Sequence, residues 1–126
     1  MRMIAALYSA ACILALVGIA HSYLGERYLL GRLSRHGNLS KIFRNPDFAF
    51  RVMRLAWHLT SIAWLGFAAL LTLIAHGPLT AKAIGTAIGI IFLMHSAASL
   101  ILVRGKHLSW LLFLAVAGLT IYGVCT

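Results

Sequence analysis

Four long apolar segments, separated by short polar stretches, dominate the pattern of the chain. They run from about residue 3 to 24, 55 to 75, 83 to 103 and 108 to 124. Each is close to the ~20 residues that a helix needs to cross the hydrocarbon of a bilayer, and the fourth is the shortest. Strict alternation of polar and apolar residues is lacking, which favours helices over barrel strands. The pattern therefore predicts an all-α protein, a single domain over residues 1–126 that forms an integral membrane four-transmembrane-helix antiparallel bundle.

Turn-forming residues mark where these segments end. A His-Gly-Pro sequence at 76–78 breaks the chain, and an Arg-Gly-Lys sequence at 104–106 makes a tight turn. Such short connections favour antiparallel neighbours. Asn45 followed by Pro46 is typical of a helix start, which places the beginning of the second helix in water, before its apolar part. The first helix is expected to continue past its apolar part to about residue 33, which leaves 34–44 as the only long loop.

Small residues predict two further features of the packing. Gly85 and Gly89 form a GxxxG pattern in the third segment, which allows two helix backbones to approach closely. Cys12 lies well inside the first segment and is expected to be buried as a small apolar residue. Cys125 is expected at the interface, too far in depth from Cys12 for a disulfide.

Composition and charge agree with a membrane protein and give its orientation. Hydrophobic residues make up 62% of the chain and charged residues 10%, with a net charge of +9; soluble domains are about 45–50% apolar. The connection from 27 to 54 holds seven basic residues and the turn at 104–106 two more, against Arg2 and Lys82 on the other side. The positive-inside rule therefore predicts that the long basic connection between helices 1 and 2 is cytoplasmic and that both termini are not. We expect a bacterial inner (plasma) membrane, contact of the basic face with anionic headgroups, and no nucleic-acid partner.

Histidines near the cytoplasmic side are the main candidates for chemistry. His21, His58 and His95 lie inside apolar segments, and His107 lies at the start of the fourth. Because neighbouring helices alternate in direction, all four map to the same half of the membrane. Ionisable residues inside membrane spans favour a function.

Facing histidines are typical ligands of haem and of transition metals. One hypothesis is therefore a small redox module in which His21, His58 and His95 hold haem b, or copper or another transition-metal ion, with His107 as a weaker candidate ligand. Arg27 and Arg54 would lie near the haem propionates. The histidines also have a structural interpretation, since an intramembrane histidine can bond to serine or threonine across helices simply to hold a bundle together. In that case no cofactor is needed.

Two hypotheses from other classes remain. One is a non-catalytic accessory or assembly subunit of a larger membrane complex, or a homo-oligomer. The other is a small membrane enzyme that acts on a lipid or a quinone through the level of His21, Ser22 and Glu26, the only glutamate of the chain. Ser22 and Glu26 share a helix face at i, i+4, whereas His21 lies about 140° away from Glu26. Nucleotide-binding loops, GxSxG and HExxH are absent from the sequence.

Overall fold

The computed structural model describes residues 1–36 and 44–126, and these form helices with no strand among them. Helix α1 spans Arg2–Leu24 and runs without interruption into a π-helical turn, Gly25–Leu30, and a short helix α2, Gly31–His36. Helices α3, α4 and α5 span Pro46–His76, Ala81–Leu102 and Ser109–Cys125. The first helical run therefore extends beyond the predicted end near residue 33. Residues 34–36, which were predicted to belong to the loop at 34–44, are helical. Residues 37–43 of that loop lie outside the described part.

The helix ends follow the predicted signals. The Asn45 side chain accepts a hydrogen bond from the Phe48 backbone N–H at 3.1 Å, with Pro46 in the first turn, so the predicted start of α3 is confirmed. The Thr80 hydroxyl caps α4 in the same way by accepting from the Ala83 N–H at 3.0 Å. Both satisfy N–H groups that a helix leaves without an internal partner.

Three of the helical runs, residues 2–35, 46–76 and 81–102, are long and apolar enough to span a membrane. Helix α5 is a shorter apolar helix of 17 residues. Large apolar side chains are exposed along α1, α3, α4 and α5, while the core consists mainly of small residues and a few larger ones such as Leu55 and Val103. An apolar exterior around a small core is what lipid as the surrounding solvent permits. Cys12 is one of the exposed residues, so the expectation that it is buried is wrong; it and Cys125 are free thiols, as expected.

The helices pack in chain order: the α1 run against α3, α3 against α4, and α4 against α5. The α1 run and α3 pack in opposite directions, since Tyr8 bonds to His76 at one end of the pair and Glu26 bonds to Arg54 at the other. The second close pair, α4 and α5, is joined by the Ser96 hydroxyl, which donates to the Trp110 carbonyl at 2.7 Å, and by a hydrogen bond between Ser99 and Ser109.

Glycines lie where the helices approach most closely. A Cβ on Gly85 would lie 2.3 Å from a Val124 methyl carbon, and a Cβ on Gly89 would lie 2.4 Å from Cγ1 of Ile121. The predicted GxxxG contact is therefore present, and α5 is the helix that it contacts. Gly66 plays the same part between α3 and α4, where its missing Cβ would lie 2.7 Å from Ile91.

Replacing Gly89 with alanine is expected to destabilise the protein by about 1–3 kcal/mol, because the added methyl forces Ile121 and the facing backbone apart. Gly118→Ala is the matched control: Gly118 is also a helical glycine, but a Cβ there meets no atom of the described residues within 4 Å. Thermal unfolding of the two variants in the same detergent measures the difference. Equal melting temperatures for both variants would contradict the close approach of α4 and α5.

Candidate functional site

A chain of hydrogen bonds joins a hydroxyl, an imidazole and a carboxylate between the α1 run and α3. The Ser22 hydroxyl lies 2.7 Å from Nδ1 of His58. The other ring nitrogen of His58, Nε2, lies 3.1 Å from Oε2 of Glu26. Ser22 and Glu26 come from successive turns of the first helical run, and His58 comes from α3, so packing of the two helices assembles the chain.

The chemistry of the three groups fixes the direction of these bonds. An ionised carboxylate only accepts hydrogen bonds, so the proton of a neutral His58 ring lies on Nε2 and is donated to Glu26. Nδ1 then carries the lone pair and accepts the Ser22 hydroxyl proton. This is the arrangement of a nucleophile, its general base and the carboxylate that orients the base.

Arg54 holds the carboxylate in place from the other side. Its Nε donates to Oε2 of Glu26 at 2.9 Å, and a terminal guanidinium nitrogen lies 2.5 Å from Oε1. A bidentate arginine fixes both the position and the plane of a carboxylate. The Arg54 and Glu26 side chains are about 40% exposed, whereas the His58 side chain is 21% exposed. The charged pair therefore lies at the rim of the site and the imidazole lies further inside.

The π-helical turn begins one residue before Glu26. The Gly31 N–H bonds to the Glu26 carbonyl, five residues back, instead of four. Such turns are rare, and they occur frequently at functional sites because they change the direction in which side chains leave the helix. The widened turn lies where Glu26 meets His58 and Arg54.

A second histidine, His21, is enclosed by aromatic rings next to this chain. Its ring stacks on Trp57 at a centroid distance of 4.2 Å and an angle of 4°, and it meets the edge of Trp64 at 4.9 Å. Its Nδ1 lies 3.0 Å from the Ser61 hydroxyl. The Trp57 indole N–H donates to the His21 carbonyl at 3.0 Å. Trp57 and Trp64 are seven residues apart on α3 and therefore share one face, which lets both rings contact the same imidazole.

Gly25 leaves the space that the Trp57 ring needs for these contacts. A Cβ at this position would lie 1.9 Å from Nε1 of Trp57 and 2.3 Å from the adjacent ring carbon. The indole therefore occupies the space of the missing side chain. Only glycine at residue 25 lets Trp57 reach the His21 carbonyl in this position.

An apolar groove of about 520 Å³ opens beside the hydrogen-bonded chain. Its polar lining comes from Ser22, His58 and Ser61, and its wall includes Ile19, Ile62 and Leu65. The volume lies within the range of small-molecule sites, ~300–1,000 Å³. Because the groove is wide open and the surrounding surface is apolar, it suits a ligand with an apolar chain that arrives from lipid.

The other predicted site residues lie elsewhere. His95, on α4, bonds through Nδ1 to the Ile91 carbonyl at 2.8 Å and packs near the rings of Phe92 and Phe113. His107 is exposed and bonds to Ser109 at 2.8 Å. Arg27 is exposed and lines a separate surface depression with Tyr28, Gly31, Arg32 and Arg35. The structure thus brings together His21, His58 and Arg54, and it places His95, His107 and Arg27 away from them.

The histidines differ in how well they fit a metal or a haem iron. Both ring nitrogens of His58 are engaged, so it would have to give up Ser22 or Glu26 to act as a ligand. His21 and His95 each keep Nε2 without a hydrogen-bond partner among the described residues. Among the side chains that the structure describes, those of residues 1–35 and 44–126, no group of three or more His, Cys, Asp or Glu is placed to hold a metal ion.

Sequence reasoning named most of these side chains but not their connections. Serine or threonine hydroxyls were expected as hydrogen-bond partners of the histidines, and Ser22 and Ser61 have that role. Glu26 was considered only as an alternative site residue. The i, i+4 spacing of Ser22 and Glu26 was the available signal. This spacing identifies a site only together with the structure, in which α3 places His58 between the two side chains.

The helices and the site together define a helical protein of membrane character with a hydroxyl–imidazole–carboxylate chain between two of its apolar helices. Comparison of the chain with protein-family models, with curated proteins and with solved structures found no match.

Proposed function

We propose that the protein is a small membrane enzyme that transfers or hydrolyses an acyl group of a lipid ester or thioester, with Ser22 as nucleophile and His58 as general base. The observation that carries this proposal is the Ser22–His58–Glu26 chain, two of whose members, Ser22 and His58, line an apolar groove. A structural clamp would need only one hydrogen bond between the helices. The order of the three groups, with the hydroxyl and the imidazole lining the groove, is what acyl transfer requires.

The reaction follows from the direction of the hydrogen bonds. Oγ of Ser22 attacks the carbonyl carbon of the ester while its proton passes to Nδ1 of His58. The imidazolium, held by Glu26, then gives this proton to the leaving alcohol or thiol as the bond to the acyl carbon breaks. Water or a second alcohol, deprotonated by the same nitrogen, releases the acyl group from Ser22 and regenerates the hydroxyl.

In this proposal, Ser61 stabilises the negative charge that forms on the carbonyl oxygen, and His21 supports Ser61. Ser61 lines the groove with Ser22 and bonds to Nδ1 of His21. If that nitrogen donates, the Ser61 hydroxyl proton is available to the oxygen. A single donor of this kind contributes about 10²–10³ to the rate in enzymes of acyl transfer.

The membrane arrangement in this proposal is the four-span antiparallel bundle of a bacterial inner membrane, with both termini outside the cytoplasm. It is supported by three helices of spanning length, by the apolar α5, and by the nine basic residues on one side against two on the other. The Glu26–Arg54 pair then lies at the cytoplasmic interface and the groove opens into the inner leaflet. A phospholipid of that leaflet would place its ester bonds near Ser22.

The native cysteines test this orientation. In intact spheroplasts, a membrane-impermeant maleimide is expected to modify Cys125, which is exposed at the end of α5, and not Cys12, which is exposed in mid-helix. Ser34→Cys, placed at the cytoplasmic end of the first helical run in a background without the native cysteines, is the control and should react only after lysis. Modification of that cysteine in intact spheroplasts would contradict the orientation.

The enzyme proposal is tested by a lipid-soluble fluorophosphonate, which reacts with activated serines. The purified protein is expected to be labelled, and peptide mass spectrometry is expected to find the adduct on Ser22 and not on Ser9, an exposed serine of the same helix. Release of fatty acid from long-chain fluorescent esters should accompany the labelling. Protein that is folded but neither labelled nor active on any ester or thioester would overturn the proposal.

A redox module is the second candidate, because His21 and His95 each keep Nε2 available for a haem b or copper ion. A Soret band with reduced α and β bands in the purified protein would support it. An accessory subunit is the third, because the same His–Ser bonds join α1 to α3. A colourless and unlabelled protein that co-purifies with a larger membrane complex would favour that role.

A further inference from the structure

Basic residues from two distant parts of the sequence line a cavity at the start of α3. It measures about 200 Å³ and lies between the first turns of α3 and the turn that joins α4 to α5. Arg51 reaches it from α3, and Arg104 and Lys106 reach it from the turn. Asn45, Asp47 and Phe48 complete the wall on the α3 side, so three cations face one carboxylate.

The turn that carries Arg104 and Lys106 is well fixed. Val103, beneath the cavity, is completely buried. The Gly105 N–H bonds to the Leu100 carbonyl at 3.0 Å and the Lys106 N–H to the Val103 carbonyl at 3.2 Å. These bonds hold both cationic residues at the cavity instead of leaving them on a loose loop.

Arg104 has an unfavourable backbone for its residue type. Its φ is +53°, in the left-handed region, at the position after a helix end where glycine is the usual choice. Glycine follows only at residue 105, also at positive φ. A non-glycine residue in this conformation is uncommon and costs stability, so the presence of arginine points to a use for its side chain.

The positive charges at this cavity are not neutralised by ion pairs with the acidic side chains that the structure describes. Among the described residues, Arg51, Arg104 and Lys106 form no ion pair, and the only carboxylate that takes part in one is Glu26. Guanidinium groups present planar pairs of donors that match the oxygens of a phosphate. The helix start of α3 adds its positive dipole end, although the Phe48 N–H is already capped by Asn45.

We propose that Arg51, Arg104 and Lys106 form a binding site for a phosphate group, either of an anionic lipid headgroup or of a soluble phosphate ester. This site is separate from the Ser22–His58–Glu26 chain, with which it shares no lining residue. It therefore stands or falls independently of the proposed enzyme activity.

The test is a titration of the full-length protein in detergent with phosphatidylglycerol, followed by native mass spectrometry. The variant Arg51→Gln/Arg104→Gly is expected to weaken binding about tenfold or more, since it removes two charge-assisted contacts. Lys82→Gln is the matched control, because Lys82 is an exposed cation at the start of α4, at the opposite end of that helix from the turn. It should bind as the wild type does.

Arg104→Gly alone separates binding from folding. Glycine relieves the left-handed backbone, so this variant should melt at or above the wild-type temperature while it binds the lipid more weakly. Displacement of the lipid by millimolar inorganic phosphate, or binding of inorganic phosphate alone, would identify a soluble phosphate as the source; lipid binding that free phosphate leaves unchanged would identify the headgroup. Failure of both probes to bind, wild-type affinity in the double variant, or an equal loss in Lys82→Gln would overturn the site.

Discussion

Replacing His58 with glutamine is expected to slow the reaction of Ser22 with a fluorophosphonate by about 10²–10⁴-fold, the usual contribution of a general base. The amide of glutamine can still donate to Glu26 and bond to Ser22, so α1 and α3 stay joined. It cannot take the serine proton, because an amide nitrogen has no basic lone pair. The substitution therefore lowers the reactivity of Ser22 and leaves the packing of α1 on α3 unchanged. The measurement is the pseudo-first-order labelling rate of variant and wild type at equal concentrations of folded protein.

His107→Gln is the control for this variant. His107 also lies 2.8 Å from a serine hydroxyl, that of Ser109, but no carboxylate among the described residues bonds to its other nitrogen. Loss of this imidazole should leave the labelling rate of Ser22 unchanged. A His58→Gln protein that is labelled as fast as the wild type would show that Ser22 is not activated by His58, and the hydrogen bond would then be a structural contact.

Much of the fold could be predicted because membrane helices carry strong local signals. Apolar length located the helices, and Asn45 and the turns around residues 77 and 105 marked their ends. The π-helical turn at Gly25–Leu30 was not predicted from the local sequence, and it lies where the first helical run contacts α3. Trp57 fills the space above Gly25, and Glu26 is held by Arg54.

The sequence predicted the candidate site as a level along the apolar helices and not as a set of contacts. Depth along each helix placed His21, His58 and His95 together, but depth says nothing about which way a side chain faces. In the structure, His95 packs towards α5, next to Phe113, while His21 and His58 face the α1–α3 contact. Rotation of each helix about its own axis decides this, and it is set by where the glycines allow close approach, at Gly18 and Gly25 for this pair.

The small core has a consequence for how the site is held. Few large apolar side chains are buried between the helices, so hydrogen bonds and close glycine contacts have to fix the register of α1 on α3. Five side-chain contacts do so at the site end: Glu26 with Arg54 and with His58, Ser22 with His58, Trp57 with the His21 carbonyl, and His21 with Ser61. The same contacts that join the helices thereby set the geometry of Ser22 and His58.

Replacing Glu26 with glutamine is expected to lower the labelling rate of Ser22 by up to ~10⁴-fold, although the side chain keeps its size. A glutamine can offer its N–H₂ to Nε2 of His58, which moves the ring proton to Nδ1 and turns that nitrogen into a donor towards Ser22. The imidazole then has no lone pair for the serine proton; the corresponding change in a serine protease, made on the aspartate of its triad, has an effect of this size. Asp47→Asn, which neutralises the only other acid of the chain, is the control and should leave the rate unchanged. Retention of full reactivity in Glu26→Gln would mean that the carboxylate serves only to bind Arg54, whereas a loss that matches His58→Gln would show that carboxylate, imidazole and hydroxyl act as one unit, because effects of residues that act together do not add.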